Sequence, residues 1–143
     1  MENYEISTDP ARLNIELIHQ YLSRDSYWAQ QVPLEVVARS VANSLCFGVY
    51  HHNEQVGLAR IITDKATFAY LCDVFILPEH RGKGISKWLM KTMHSHPELQ
   101  GLRRWLLGTK DAHGLYEQFG WTYLTPEQVP RFMQLHNPDV YKR

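Results

Sequence analysis

The residues best equipped for chemistry lie in one stretch, positions 73–86, which reads DVFILPEHRGKGIS. Arg81 and Lys83 are interleaved with Gly82 and Gly84. The glycines put no Cβ between the backbone and a ligand. A helix opening at Ile85 would present N–H groups that lack intrahelical partners and carry partial positive charge. Such a cationic corner suits a pyrophosphate or another polyanion. Just upstream stands Asp73, a carboxylate in an apolar run. Burying it unpaired is expensive. It reads equally as a general base, because burial makes a carboxylate a better proton acceptor, or as a structural anion paired with Arg60.

A strand must deliver this corner and a helix must leave it. Phe68–Ile76 is an almost unbroken run of β-branched, aromatic and aliphatic residues, the pattern of a strand covered on both faces. Alternation puts Asp73 on the face of Ala69, Leu71 and Phe75 unless a bulge intervenes. Pro78 offers no N–H and ends pairing. Ile85, Trp88, Leu89 and Met93 recur at helical spacing, with Lys87 and Lys91 opposite. Upstream, Tyr4–Ser7 predicts a short strand. Asp9-Pro10 predicts a capped helix with Leu13, Leu17, Ile18 and Tyr21 on one face. Residues 23–31 are a polar and aromatic break holding Tyr27 and Trp28, and Pro33 opens a second helix. Residues 45–50 and 55–62 predict strands joined by a four-residue loop, 51–54. Beyond the central helix come a strand over 103–108 and a helical face of Ala112, Leu115, Tyr116 and Phe119 closed by Gly120. Two last strands are expected over 121–124 and 131–135. Strand, helix, strand implies a crossover with two parallel strands. The expectation is one α/β domain over residues 1–143, a central mixed sheet with helices on both faces.

The identity of the polyanion is narrowed by what fails. Gly-x-Gly-x-x-Gly would need glycine at Lys87, and the Gly-x4-Gly-Lys-Ser/Thr loop for ATP is absent. What remains is Arg-x-x-Gly-x-small, read as Arg81, Gly84 and Ser86. This resembles the pyrophosphate loop of the GCN5-related N-acetyltransferases, which usually carry Gly or Ala at the place of Ser86. A second segment, Ala112, Tyr116, Gly120 and Trp121, is similar to the family's Ala-x-x-x-Tyr-x-x-x-Gly-Phe, with Trp for Phe. Thr109 stands where many relatives have Asn against the pantetheine arm.

The resemblance implies the acyltransferase fold and transfer of an acetyl group from acetyl-CoA to a primary amine of a small molecule or peptide. It implies that Val74, Phe75 and Ile76 offer backbone groups to the pantetheine beside a splayed strand. An N–H near Ile76 would face the thioester oxygen. Arg81, Gly82, Lys83, Gly84, Ile85 and Ser86 would take the pyrophosphate. Tyr116 would be the acid for the departing thiolate, its other reading being a packed aromatic. Asp73 is the candidate base, with His113 as an alternative. Tyr27, Trp28 and Arg60 are candidates to line the acceptor pocket. A non-catalytic acyl-CoA-binding sensor of the same fold is the competing reading, and a nucleotide-binding protein is a third class.

Composition sets the remaining expectations. Fifteen basic residues balance fifteen acidic ones, which gives no support for a nucleic-acid or membrane-surface role. No apolar run is long enough to cross a bilayer, and the N-terminus has no basic start with an apolar core. Cys46 and Cys72 lie in strand-like runs and read as buried thiols of a cytoplasmic protein. Cys72 as a nucleophile has no identifiable base beside it. His51-His52 and His94-x-His96 lack further ligands at metal spacing, so no metal is expected. Small members of the family often dimerise, so a homodimer is compatible with the resemblance.

Overall fold

Five strands form one sheet: β1 (Tyr4–Ser7), β2 (Leu45–His51), β3 (Glu54–Thr63), β4 (Phe68–Ile76) and β5 (Arg104–Leu107). Their spatial order is their sequence order. Neighbours from β1 to β4 are antiparallel, and β4 with β5 is parallel. The helices are α1 (Ile15–Gln20), α2 (Leu34–Ala42), α3 (Ile85–Ser95) and a short α4 (His113–Glu117). This computed structural model describes residues 1–142 and divides into two units, Met1–Gly108 and Thr109–Arg143.

In the first unit, local chemistry sets each boundary. The β2–β3 turn is tighter than expected: His51 pairs with Glu54, so the loop is only His52 and Asn53. Both have positive φ, +50° and +67°, the conformation that a two-residue hairpin demands. The first predicted helix is split. Asp9 does accept the Ala11 N–H at 3.0 Å, but only a 3-10 turn forms over Pro10–Arg12. Asn14 then accepts the Leu17 N–H at 3.0 Å and starts α1 afresh. An Asn inside a helical pattern competes for backbone N–H groups, and here it becomes a cap. After α1 the helix widens into a π turn over Tyr21–Asp25. Between β3 and β4 the Asp64 carboxylate accepts from the N–H groups of Ala66, Thr67 and Phe68, which holds the turn.

The feature with most consequence is a bulge. Ala59 pairs with Val74, while its neighbour Arg60 pairs with Cys72. Asp73 is therefore an inserted residue, with φ at +26°. The insertion corrects the simple alternation: Phe75, opposite Leu58, no longer shares a face with Ala69 and Leu71. Cys46, Arg60 and Cys72 lie opposite one another across three strands. That face meets α2, where the Cys46 thiol lies 3.9 Å from the Val41 carbonyl. The other face holds Phe47, opposite Ala59, whose ring packs edge-on against His96 just after α3. Ile85, Leu89, Met90 and Met93 of α3 are buried. Each such side chain contributes roughly 1.5–3 kcal/mol by leaving water. Helices thus cover both faces of a mixed sheet, as expected.

The second unit is largely irregular. α4 ends in a glycine cap: the Gly120 N–H donates to Glu117 and the Trp121 N–H to Tyr116, with Gly120 at φ +90°. The two expected last strands do not form. Residues 121–124 are irregular, and Arg131 closes a 3-10 turn, Val129–Arg131, that contains Pro130. Phe132 is extended, yet Met133 and Leu135 are 97% and 106% exposed. Strand propensity without a pairing neighbour yields extended chain rather than a ladder.

Candidate functional site

Strand β5 pairs only with Phe68–Leu71, so the second half of β4 has no strand on that side among the described residues. The Leu77 N–H donates to the Val56 carbonyl at 2.8 Å. By alternation, Phe75 also turns its backbone groups to β3, and Val74 and Ile76 turn theirs to the open edge. This corrects one expectation, since Phe75 spends its backbone groups inside the sheet. The Ile76 carbonyl accepts from Arg81 Nε at 2.8 Å. The Ile76 N–H points along the same edge.

A 3-10 turn over Pro78–His80 leads into the glycine corner. Gly82 and Gly84 sit at φ +77° and +82°, and a Cβ at either would meet nothing within 4 Å. The glycines are therefore demanded by backbone conformation and not by close packing. No side chain caps α3 at Gly84, so the first-turn N–H groups of Ile85 and Ser86 are presented outward. Arg81 is braced as well as cationic: its Nη2 lies 3.1 Å from the Tyr21 hydroxyl. Tyr21 in turn stacks on Phe75, ring centroids 4.1 Å apart and nearly parallel. Sequence reasoning missed this role for Tyr21. The helical pattern placed it on a core face, where it starts the π turn.

Asp73, Arg60 and Trp28 come together. Arg60 Nε donates to Asp73 Oδ2 at 2.6 Å, and Trp28 Nε1 donates to Oδ1 at 2.7 Å. Arg60 Nη1 also donates to Ser44 Oγ at 3.0 Å. The pairing with Arg60 considered from sequence is thus present, and the bulge is what turns Asp73 towards it. Desolvation pulls the Arg60 guanidinium down, but the Asp73 carboxylate, through its charge and hydrogen bond, together with Cys72 and Cys46 leaves it above its ordinary value. Trp28 meets Tyr27 edge-on at 5.0 Å, and both rings are exposed. Burial pushes the Cys46 thiol up to about 11 and the Cys72 thiol up to about 12, against the pull of Arg60. Neither is a thiolate near neutral pH, which leaves Cys72 without nucleophilic character.

A second cluster was not expected to be one. His51 lies 4.2 Å from His52 and 5.0 Å from His80, ring to ring, and Tyr4 reaches His80 Nδ1 at 2.7 Å. Sequence separated these residues into a hairpin and a loop. Among the described residues no group of three or more His, Cys, Asp or Glu is disposed to hold a metal ion. None of the described helices is long and apolar enough to cross a membrane.

The second unit carries the other motif. Tyr116 is buried on α4, 5.8 Å from the Trp121 ring. Thr109 Oγ accepts the Ala112 N–H at 3.1 Å, so it organises the start of this segment. His113 stacks on Tyr123 at 5.2 Å.

The profile of the acetyltransferase (GNAT) domain matches residues 42–123. A Gibberella zeae protein named as an acetyltransferase is 38% identical over 136 residues, covering 80% of this chain and 76% of that protein. A crystal structure from Xanthomonas campestris pv. campestris, described as an acetyltransferase of the GNAT family, superposes with a TM-score of 0.94 at 50% identity. It covers 100% of this chain and 99% of its own. A predicted acetyltransferase from Clostridium acetobutylicum, solved with acetyl-CoA, shares the fold at 16% identity, with a TM-score of 0.64 and coverage of 95% and 96%. Matched by the domain profile over more than half its length and half identical throughout to a solved member, this chain belongs to the GNAT acetyltransferase family.

Proposed function

We propose that the protein is an N-acetyltransferase that moves the acetyl group of acetyl-CoA to a primary amine of a small molecule or peptide. The observation that carries this reading is the open edge of β4 followed, after one 3-10 turn, by an uncapped, glycine-shaped helix start. An extended thioester arm fits the first and a diphosphate fits the second. The acetyl-CoA in the Clostridium acetobutylicum structure supports the same co-substrate here. A cytoplasmic setting goes with that co-substrate and with two free thiols.

In this proposal Val74 and Ile76 pair with the pantetheine, and the Ile76 N–H donates to the thioester oxygen as it gains charge. Lys83, Arg81 and the N–H groups from Gly82 to Ser86 hold the diphosphate. The acceptor arrives as an ammonium and gives a proton to Asp73. Its neutral nitrogen attacks the acetyl carbon, and a C–N bond forms. The C–S bond then breaks, and the thiolate takes the proton of the Tyr116 hydroxyl. The nitrogen loses a second proton as the amide forms, which restores the phenol through solvent. The products are one amide, one thiol and one proton.

Calorimetric titration with acetyl-CoA and free-thiol release on a panel of amines, polyamines and peptide N-termini test this. Saturable binding with thiol release on at least one acceptor is the expected outcome. Binding without release on any acceptor would replace catalysis by sensing, and no binding at all would remove both.

A further inference from the structure

Trp28 is anchored far more firmly than its exposure explains. It is 41% exposed, so burial of its ring does not account for its place. The connection that carries it is nevertheless tied down at every step. Ser26, buried, donates from Oγ to the Leu22 carbonyl at 2.7 Å and accepts the Ala29 N–H at 3.1 Å. The Gln31 N–H donates to Ser23 at 3.0 Å, the Val32 N–H donates to Ala29 at 3.1 Å, and His19 Nε2 lies 3.0 Å from the Val32 carbonyl. What all this order delivers is one indole N–H, 2.7 Å from Asp73 Oδ1.

Asp73 needs such a contact. It is an inserted bulge residue, with no partner directly across the ladder. Arg60 grips only Oδ2. One contact leaves a carboxylate able to turn about its Cβ–Cγ bond, and a second donor on the other oxygen stops that turn. We infer that Trp28 is a positioning residue: it fixes the plane of the Asp73 carboxylate so that its remaining lone pairs meet an ammonium acceptor. An ionised carboxylate has about four acceptor sites, and Trp28 and Arg60 take one on each oxygen. The inference rests on Asp73 as the proton acceptor of the proposed reaction. It limits the acceptors that depend on Trp28 to amines that arrive protonated. It also takes Trp28 out of the set that lines the pocket for shape alone.

The test compares two kinds of nucleophile in wild type and Trp28→Phe. Phe keeps an aromatic ring and loses the donor together with part of the indole's bulk. The ammonium acceptors are 2-phenylethylamine, spermidine and a glycine-led tetrapeptide. The neutral acceptor is hydroxylamine, largely unprotonated near neutral pH and in no need of a base before it attacks. With acetyl-CoA saturating, Trp28→Phe should lower kcat for the ammonium acceptors by about tenfold or more. Its KM for acetyl-CoA and its rate with hydroxylamine should stay within about twofold of wild type. A merely structural role would depress both nucleophiles together. In an Asp73→Asn background the Trp28→Phe change should cost nothing further. If Trp28→Phe does not fold, Ser26→Ala, which loosens the connection without touching Asp73, is read on the same pair of nucleophiles. An undiminished kcat for ammonium acceptors, or an equal loss with hydroxylamine, overturns the inference and leaves the acetyltransferase reading intact. A wild type silent with every acceptor removes that reading, and this inference with it.

Discussion

Replacing Asp73 by Asn separates the two readings of this carboxylate, because stability and rate answer different questions. Asn tolerates positive φ better than most residues, so the bulge at +26° is not itself disturbed. What changes is the charge opposite Arg60 in a pair 2.6 Å apart, with side chains 14% and 7% exposed. Removing one partner of a buried pair costs about 3–5 kcal/mol. Arg60 keeps its bond to Ser44 and Asn keeps an acceptor oxygen, so the lower figure, about 3 kcal/mol, applies here. Unfolding entropy near 2.1 cal/mol/K per residue gives roughly 0.3 kcal/mol/K for this chain, so the midpoint should fall by about 10 °C. Thermal melts followed by circular dichroism read this directly. Thiol release well below the variant's midpoint reads the other half, and turnover should drop by about 10²-fold or more across the pH range. A lowered midpoint with an unchanged rate would refute the base and leave a structural anion. A midpoint within about 2 °C of wild type would refute the energetic argument for the ion pair.

Tyr116→Phe should lower turnover by roughly 10²-fold with acetyl-CoA binding little changed by calorimetry; an unaltered rate would return Tyr116 to the core of its unit. Gly84→Ala meets no atom within 4 Å, so its cost is purely that of a Cβ at φ +82°, roughly 1–2 kcal/mol. It should lower the midpoint by about 3–6 °C and weaken acetyl-CoA binding; a variant that binds as well as wild type would deny the corner its role. His51 is held below its ordinary value by desolvation first, then by His52, His80 and Lys83, with Glu54 opposing and Tyr4 packed alongside. A base depressed in the fold takes up more protons when unfolded, so stability is lost as pH falls through about 6.5. The midpoint should drop between about pH 7.5 and about 5.5, and His51→Gln should shrink that drop.

What could be read from sequence was whatever depended on local pattern. The β4 run, the Pro78 stop, the glycine corner and the amphipathic α3 each carry their signal within a few residues, and each stands where expected. Asp64 and Asn14 show the limit of that method. Their side chains choose among several nearby N–H groups, and Asn14 resolved the choice by splitting a helix. The expected strands after Gly120 failed for another reason. A strand is a property of two segments, and Met133 and Leu135 have the residues without the neighbour. In the site, Asp73, Arg60 and Trp28 were singled out separately, but their meeting depends on one inserted residue. Tyr21 was legible only as part of a helical face, and nothing local marked its ring for Phe75 or its hydroxyl for Arg81.

The single extra residue in β4 also acts as a switch of parity. Before it, odd-numbered side chains, Ala69 and Leu71, share the face of Ile61 and Ala59; after it, even-numbered ones, Val74 and Ile76, take that place. Removing the residue at position 73 would leave Val74 opposite Ala59 and Ile76 opposite Gly57 in a regular ladder, so both would keep the side of α3 and Phe75 the other side. What the extra residue adds is therefore its own carboxylate and a local bend, while the segments on either side keep their partners.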